Sequence, residues 1–339
     1  MPISHMLTSA QWWKTWVVRD QYTYKDIPDL TGKVAIVTGA NTGLGYATMV
    51  ALAARGAHVF LACRSKERAL EAIARAKGEI TALAALTSSS AMEVISVDPK
   101  LEFLELDLND MNKSYRAAQE FLAKGLPLHI LVNNSGIMNT PYALTADGVE
   151  QQFGVNHMGH FVFTLALLDR IKQSQPSRIV VLSSMGHELT VKSGIDFDTM
   201  NDEKASDPFT RYGRSKLANI LFAQELAKRL AAEKVYVNVC HPGYVNSDLY
   251  RYGKETMGQA TAKVVALTTH CIAKTPKKAA LTQLFLATSP EVEARDIRGR
   301  YFIPIAHEIR PHRWANDTKL QEQLWQYSEQ LMREKVKET

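Results

Sequence analysis

Apolar runs and amphipathic stretches alternate along most of this chain, starting at Leu30. Short apolar or β-branched runs predict strands at 33–38, 58–62, 102–106, 129–133, 178–183, 235–240 and 300–303. Apolar residues spaced three and four apart predict helices over 44–55, 66–77, 112–124, 149–171, 212–232 and 276–288. Strands that alternate with helices build βαβ units, and these need a parallel sheet covered on both faces. The expected architecture is therefore α/β: a three-layer, doubly wound parallel sheet in a single domain over residues 30–310. An N-terminal extension (1–29) and a helical tail (311–339) flank it. No internal repeat is visible.

Two segments interrupt the rhythm. Residues 78–100 contain Thr87-Ser88-Ser89-Ser90 and Asp98-Pro99, more than a short helix-to-strand link needs, and read as an inserted surface loop. Residues 246–275 follow the sixth strand and carry Tyr250, Tyr252, Met257, Val264, Val265, Leu267 and Ile272. Open α/β sheets bind ligands beyond the carboxyl ends of their strands, so this stretch is the expected substrate lid.

The first strand carries the strongest local signal. Lys33 to Thr38 is apolar and β-branched, Gly39-Ala40-Asn41-Thr42-Gly43-Leu44-Gly45 follows, and a helical pattern starts at once. A strand, a tight glycine turn and a helix N-terminus form a cradle for phosphate, because free N–H groups and the positive end of the helix dipole face the anion. The spacing is G-x-x-x-G-x-G rather than G-x-G-x-x-G.

Composition narrows the partners. With 339 residues and 46% apolar content, the chain can bury a large core. The 40 basic and 35 acidic residues are spread along it without a basic block interleaved with aromatics, which argues against nucleic acid. Three cysteines without a C-x-x-C make no disulfide framework, so a reducing, cytoplasmic setting is expected. His157 and His160 lie three apart with no matching ligand cluster, and read as packed helix residues rather than a metal site. No run reaches the roughly 18 apolar residues of a membrane span. Trp12, Trp13 and Trp16, beside Lys14 and Arg19, fit an interfacial helix on a membrane or lipid-droplet surface. They fit a helix packed on the protein's own surface equally well.

Further motifs fall at strand ends. Asp107-Leu108 follows the third strand and Asn133-Asn134-Ser135-Gly136 ends the fourth. Asn156-His157-Met158-Gly159-His160-Phe161 lies in the next helix, Ser183-Ser184 closes the fifth strand, and His241-Pro242-Gly243 closes the sixth. Tyr212-Gly213-Arg214-Ser215-Lys216 opens a buried helix, where positions four apart share a face. A Tyr-x-x-x-Lys is expected about once by chance at this composition, and Tyr250-Arg251-Tyr252-Gly253-Lys254 is a second one. Context favours Tyr212 and Lys216, because the second pair lies in the lid.

Over residues 30–305 these motifs resemble the classical short-chain dehydrogenase/reductase family. Ser135 stands where the family has Ala, and Thr42 stands where many NADP-using relatives carry a basic residue. Ala62-Cys63-Arg64-Ser65, Ser183-Ser184-Met185-Gly186-His187, Ser215-Lys216-Leu217-Ala218-Asn219 and the long segment between Ser184 and Tyr212 are similar to the retinol-dehydrogenase-like group. The resemblance implies a Rossmann fold and hydride transfer between a nicotinamide cofactor and a carbonyl/alcohol pair. It implies Asn156, Ser184, Tyr212 and Lys216 as catalytic residues. It implies cofactor contacts from Gly39, Asn41, Thr42, Gly43, Leu44, Gly45, Arg64, Asp107, Leu108, Asn133, Gly136, Tyr212, Lys216, Pro242, Gly243, Val245 and Ser247, and a homodimer formed through 149–171 and 212–232.

Elementary chemistry adds roles. A free Tyr titrates near ~10, and the Lys216 ammonium with a positive nicotinamide would favour the phenolate of Tyr212. The resemblance also implies that Asn156 would hold a water that relays protons to Lys216. At the end of the second strand Arg64 stands where NAD binders place a carboxylate, which selects NADP(H). The apolar lid implies an apolar substrate such as a retinoid, a sterol, or a long aldehyde or ketone. Reduction of an activated C=C bond and a catalytically silent NADP-binding scaffold are the alternatives.

Overall fold

The computed structural model describes residues 19–85, 93–245 and 273–337. Its strands are β1 (Val34–Thr38), β2 (His58–Cys63), β3 (Leu101–Glu105), β4 (Ile130–Asn133), β5 (Ser177–Leu182), β6 (Val235–Cys240), β7 (Tyr301–Ile303) and β8 (His307–Ile309). They form one sheet in the order β3-β2-β1-β4-β5-β6-β7-β8. All pairings are parallel except β7 with β8, an antiparallel edge that the apolar pattern does not predict. Val34 to Thr38 are all buried, the signature of a strand covered on both faces.

Successive residues of β1 point to opposite layers. Ile36 joins Phe121, Phe161 and Trp325 in one core, while Val37 joins Leu52, Val59 and Leu284 in the other. Three helices lie over the second core: α1 (Gly43–Ala54), α2 (Lys66–Ala85) and α6 (Pro276–Thr288). Over the first lie α3 (Met111–Ala123), α4, α5 (Pro208–Arg229) and α8 (Thr318–Lys335). Helix α4 runs from Gln151–Phe153 through a π-helical turn, Gly154–Met158, into Gly159–Gln173. The short α7 (Pro290–Ala294) precedes β7.

Two expectations shift. Helix α2 continues past residue 77 to Ala85, so the segment expected as loop from 78 is helical at first. Buried Ala69, Ala72, Ala76 and Ile80 extend the apolar stripe and outweigh the roughly 1 kcal/mol cost of Gly78. Helix α5 starts one turn before Tyr212, where the Asp207 carboxylate caps the N–H groups of Phe209 and Thr210 and Pro208 opens the helix. Helix α8 packs on α4 and α5. Trp325 packs against Phe161 and Phe222 at ring separations of 5.3 and 6.2 Å, and Ser328 bonds His157 at 2.8 Å.

Among the described residues no helix is long and apolar enough to cross a membrane. Trp12, Trp13, Trp16, Ser247, Tyr250 and Lys254 lie outside the described residues, as does all of the expected lid except 273–275.

The packing of α8 generates a stability prediction. Trp325 is 5% exposed, with the Arg229 guanidinium 4.1 Å from its ring centre. Trp325→Ala should lower unfolding free energy by about 3–5 kcal/mol, read from the urea midpoint at unchanged m-value.

Candidate active site

The chain leaves β1 toward β2 and β3, then returns to β4 on the opposite side of β1, which opens a crevice at the carboxyl ends of β1 and β4. Gly39 and Gly43 turn the chain there with φ of 67° and 56°, a region glycine enters without steric cost. Gly45 is required for space instead. A Cβ at that position would stand 2.4 Å from the Gly39 carbonyl oxygen and 2.6 Å from Asn134 Nδ2. The first N–H groups of α1, which have no partner within the helix, begin at this turn.

Thr38 ties the turn to its surroundings. Its Oγ1 accepts from the backbone N–H of Asn134 at 2.8 Å and of Ser135 at 2.9 Å. His160 Nδ1 lies 3.0 Å from the Asn156 carbonyl oxygen, which can only accept, so Nδ1 carries the proton. His160 Nε2 therefore accepts from the Thr38 hydroxyl at 2.9 Å. Burial pushes His160 down to about 4, in keeping with a neutral ring. His157 and His160 thus act in packing and hydrogen bonding, and the described residues include no cluster of three or more metal-ligating side chains.

A cavity of about 570 Å³ fills the crevice. Gly39, Asn41 to Gly45, Arg64, Asp107, Leu108, Gly136, Ser184, Tyr212, Lys216, Pro242, Gly243 and Val245 all line it. Asn133 does not. Its side chain points from the strand toward α4, where Nδ2 donates to Thr164 Oγ1 at 2.8 Å, and Asn134 takes its place at the cavity. Side chains alternate along β4, so neighbouring asparagines cannot both face the crevice. Sequence reasoning also missed Arg68, which joins Arg64 on the wall beyond β2. They stand four positions apart in Arg64-Ser65-Lys66-Glu67-Arg68, a signal present in the chain. The Asp107 carboxylate faces Lys113 Nζ at 3.4 Å.

At the other end of the cavity three side chains converge. Ser184 follows β5 and caps the next turn, where its Oγ accepts from the N–H of Gly186 at 3.0 Å. Tyr212 is 4% exposed and hydrogen-bonds Ser184. Burial pushes its hydroxyl up to about 12, with the Ser184 bond pulling the other way. Lys216, one turn on, is also 4% exposed. Its Nζ donates to the Leu182 carbonyl at 3.2 Å and lies 5.9 Å from the Tyr212 ring centre. Burial pushes it down to about 8. In the protein without its cofactor, desolvation of the phenol dominates.

Asn156 sits in the π-helical turn and does not line the cavity. Its amide clamps Ile137, accepting from the N–H at 2.8 Å and donating to the carbonyl at 2.9 Å, and it also donates to Ser215 Oγ at 2.9 Å. Only Gly136 separates it from Lys216. A Cβ on Gly136 would stand 3.1 Å from Asn156 Oδ1 and 3.3 Å from Lys216 Nζ. Gly213, inside the Tyr-x-x-x-Lys stretch, allows another close approach: a Cβ there would meet the Leu189 carbonyl oxygen at 1.9 Å.

The cavity fits a dinucleotide. It offers a helix N-terminus for pyrophosphate and two guanidinium groups beyond β2. The unpartnered buried Oδ1 atoms of Asn109 and Asn134 belong to residues in its wall.

Comparison with known proteins agrees. The family model described as short chain dehydrogenase matches residues 33–258. Retinol dehydrogenase 11 of Mus musculus is 44% identical over 276 residues, covering 80% of this chain and 78% of that protein. Retinol dehydrogenase 14 of Homo sapiens is 40% identical over 302 residues, covering 89% and 86%. Among solved structures, an uncharacterized protein from Mycobacterium Paratuberculosis is similar with a TM-score of 0.68 and 30% identity, covering 92% of this chain and 97% of that one. The chain belongs to the short-chain dehydrogenase/reductase family, in its retinol-dehydrogenase-like group, and is an oxidoreductase of CH–OH and C=O groups that uses a nicotinamide cofactor.

Proposed function

We propose that the protein is an NADP(H)-dependent reductase of an apolar carbonyl compound, with Tyr212 as proton donor. The carrying observation is that Ser184, Tyr212 and Lys216 meet at one end of a cavity whose other wall bears the glycine turn and two arginines. When bound, the nicotinamide supplies the hydride.

The chain's own residues do the rest. Ser184 hydrogen-bonds the substrate oxygen and orients it toward the phenol. Tyr212, held protonated at neutral pH by burial, gives its proton to the nascent alkoxide. Lys216 is still cationic at neutral pH and stabilises the phenolate that remains. Asn156 Oδ1 and Lys216 Nζ approach each other beside Gly136, and a water bridging the two would link Lys216 to the amide. Ile137, Met138 and Val155 give the described part of the pocket an apolar wall, which supports a substrate such as a retinoid, sterol or long aldehyde. The retinol dehydrogenase relatives favour the same class.

Arg64 and Arg68 support NADP(H) over NAD(H). An extra phosphate on the ribose would meet their donors, whereas nothing at the end of β2 before Glu67 supplies the carboxylate that accepts from a ribose hydroxyl.

Three outcomes test this reading. Tyr212→Phe should bind NADPH like wild type in a fluorescence titration, yet lose about 10²–10⁴-fold in kcat on retinal or a long-chain aldehyde. Near-normal turnover would remove Tyr212 from the mechanism. Gly136→Ala places a methyl against both Asn156 Oδ1 and Lys216 Nζ and crowds any water that bridges them, so kcat should fall about tenfold or more. Arg64→Ala should raise the KM for NADPH by roughly 10–100-fold, the worth of one charge-assisted hydrogen bond, and leave NADH almost unaffected. A wild-type preference for NADH would reverse the cofactor assignment.

A further inference from the structure

Ser184 is held from behind by a residue that the chemistry above does not use. His187 lies three residues on, in the 3-10 turn Met185–Glu188, and is fully buried. Its Nδ1 is 2.7 Å from the Ser184 carbonyl oxygen. Its Nε2 is 3.3 Å from the backbone nitrogen of His312. Each contact fixes one ring nitrogen. A carbonyl only accepts, so Nδ1 carries the proton. A backbone N–H only donates, so Nε2 offers its lone pair. The neutral ring alone can serve both partners, and burial pushes His187 down to about 4.

The two partners come from distant parts of the chain. Ser184 lies just beyond β5, whereas His312 precedes the 3-10 turn Arg313–Asn316 that leads into α8. His312 also lies beyond residue 258, where the match to the family model ends. Tyr301 of β7 packs edge-on against His187, with ring centres 5.3 Å apart, and stacks on His241 at 6.2 Å. His241 Nδ1 accepts from the N–H of Gly243, a residue of the cavity wall, at 2.9 Å. A buried train of three rings thus runs from the Pro242-Gly243 turn, across β7, to the backbone of Ser184.

The packing leaves little tolerance. The Leu189 carbonyl, at the end of the same 3-10 turn, lies so close to α5 that a Cβ on Gly213 would overlap it at 1.9 Å. The turn is wedged between Ser184 and the helix that carries Tyr212. Any drift of its backbone changes the separation of these two side chains.

We propose that His187 is a positioning residue, and that the C-terminal segment at His312 completes the active site by clamping His187 against the Ser184 carbonyl. This rests on the reading of Ser184 and Tyr212 as the groups that meet the substrate oxygen. In that case the region outside the matched family core sets the Ser184–Tyr212 geometry, and turnover depends on it more than cofactor affinity does.

The test uses four variants of the full chain, with NADPH and a retinal or long-chain aldehyde substrate. His187→Leu removes both hydrogen bonds, whereas His187→Asn keeps a donor near the position of Nδ1. His312→Pro removes only the backbone N–H, and its φ of −53° suits proline. His312→Ala keeps that N–H. The expected result is a fall in kcat of about tenfold or more for His187→Leu, with the NADPH dissociation constant unchanged. His187→Asn should regain most of the loss, His312→Pro should be intermediate, and His312→Ala should match wild type. If His187→Leu fails to fold, His312→Pro against His312→Ala decides the matter, and equal turnover by these two then overturns the proposal. Turnover by His312→Pro and His187→Asn equal to that of wild type, together with no loss in a folded His187→Leu, overturns the proposal and leaves the proposed reaction standing. A wild type that binds NADPH but turns over no carbonyl or alcohol overturns the reading of the site itself, and the positioning role with it.

Discussion

One hydroxyl joins the parts of this site. Thr38 Oγ1 accepts two backbone N–H groups from the turn after β4 and donates to His160, whose other nitrogen donates to the Asn156 carbonyl. A hydroxyl has one proton and two lone pairs, so the group is saturated. Thr38, His160 and Asn156 are buried, and an unmade bond in such surroundings costs about 1–3 kcal/mol. The glycine turn, the Asn134-Ser135-Gly136 turn and the π-helical stretch of α4 are therefore set relative to one another by a single atom. Phosphate cradle and proton-transfer end inherit their spacing from it.

The titration directions follow from the same burial. Tyr212 and Lys216 each move toward the neutral form, because removing a charge from water is costly whichever its sign. A phenol that keeps its proton and a lysine that keeps its charge at neutral pH form an acid beside a cation. That pairing suits delivery of a proton to a developing alkoxide. Lys216 donates to a backbone carbonyl rather than to a carboxylate, so its charge is held in place without being neutralised by an ion pair.

Much of this was legible in the chain. Seven of the strands are visible in the apolar pattern, most plainly those like β1, β5 and β6 that are buried throughout, because a strand covered on both faces cannot hide its composition. The glycine spacing, Ser184, and Tyr212 with Lys216 were legible because each is short, local and tied to a strand end. Helix α2 ran longer than the pattern around Gly78 suggested, since one glycine costs less than the burial of Ile80 returns. The antiparallel β8 escaped notice because three residues carry too little periodicity to register.

The amino-acid order by itself determined the doubly wound sheet, the cofactor class and the residue types gathered at the crevice, because periodicity and turn chemistry are local properties. Only the tertiary structure decided that Asn134 faces the cavity while Asn133 faces α4, that Asn156 reaches Lys216 only across the space over Gly136, and that the C-terminal segment reaches back to Ser184 through His187. Each of these depends on how separate elements pack. Residues 187 and 312 share no pattern along the chain, and what joins them is a buried imidazole whose two nitrogens must both find partners.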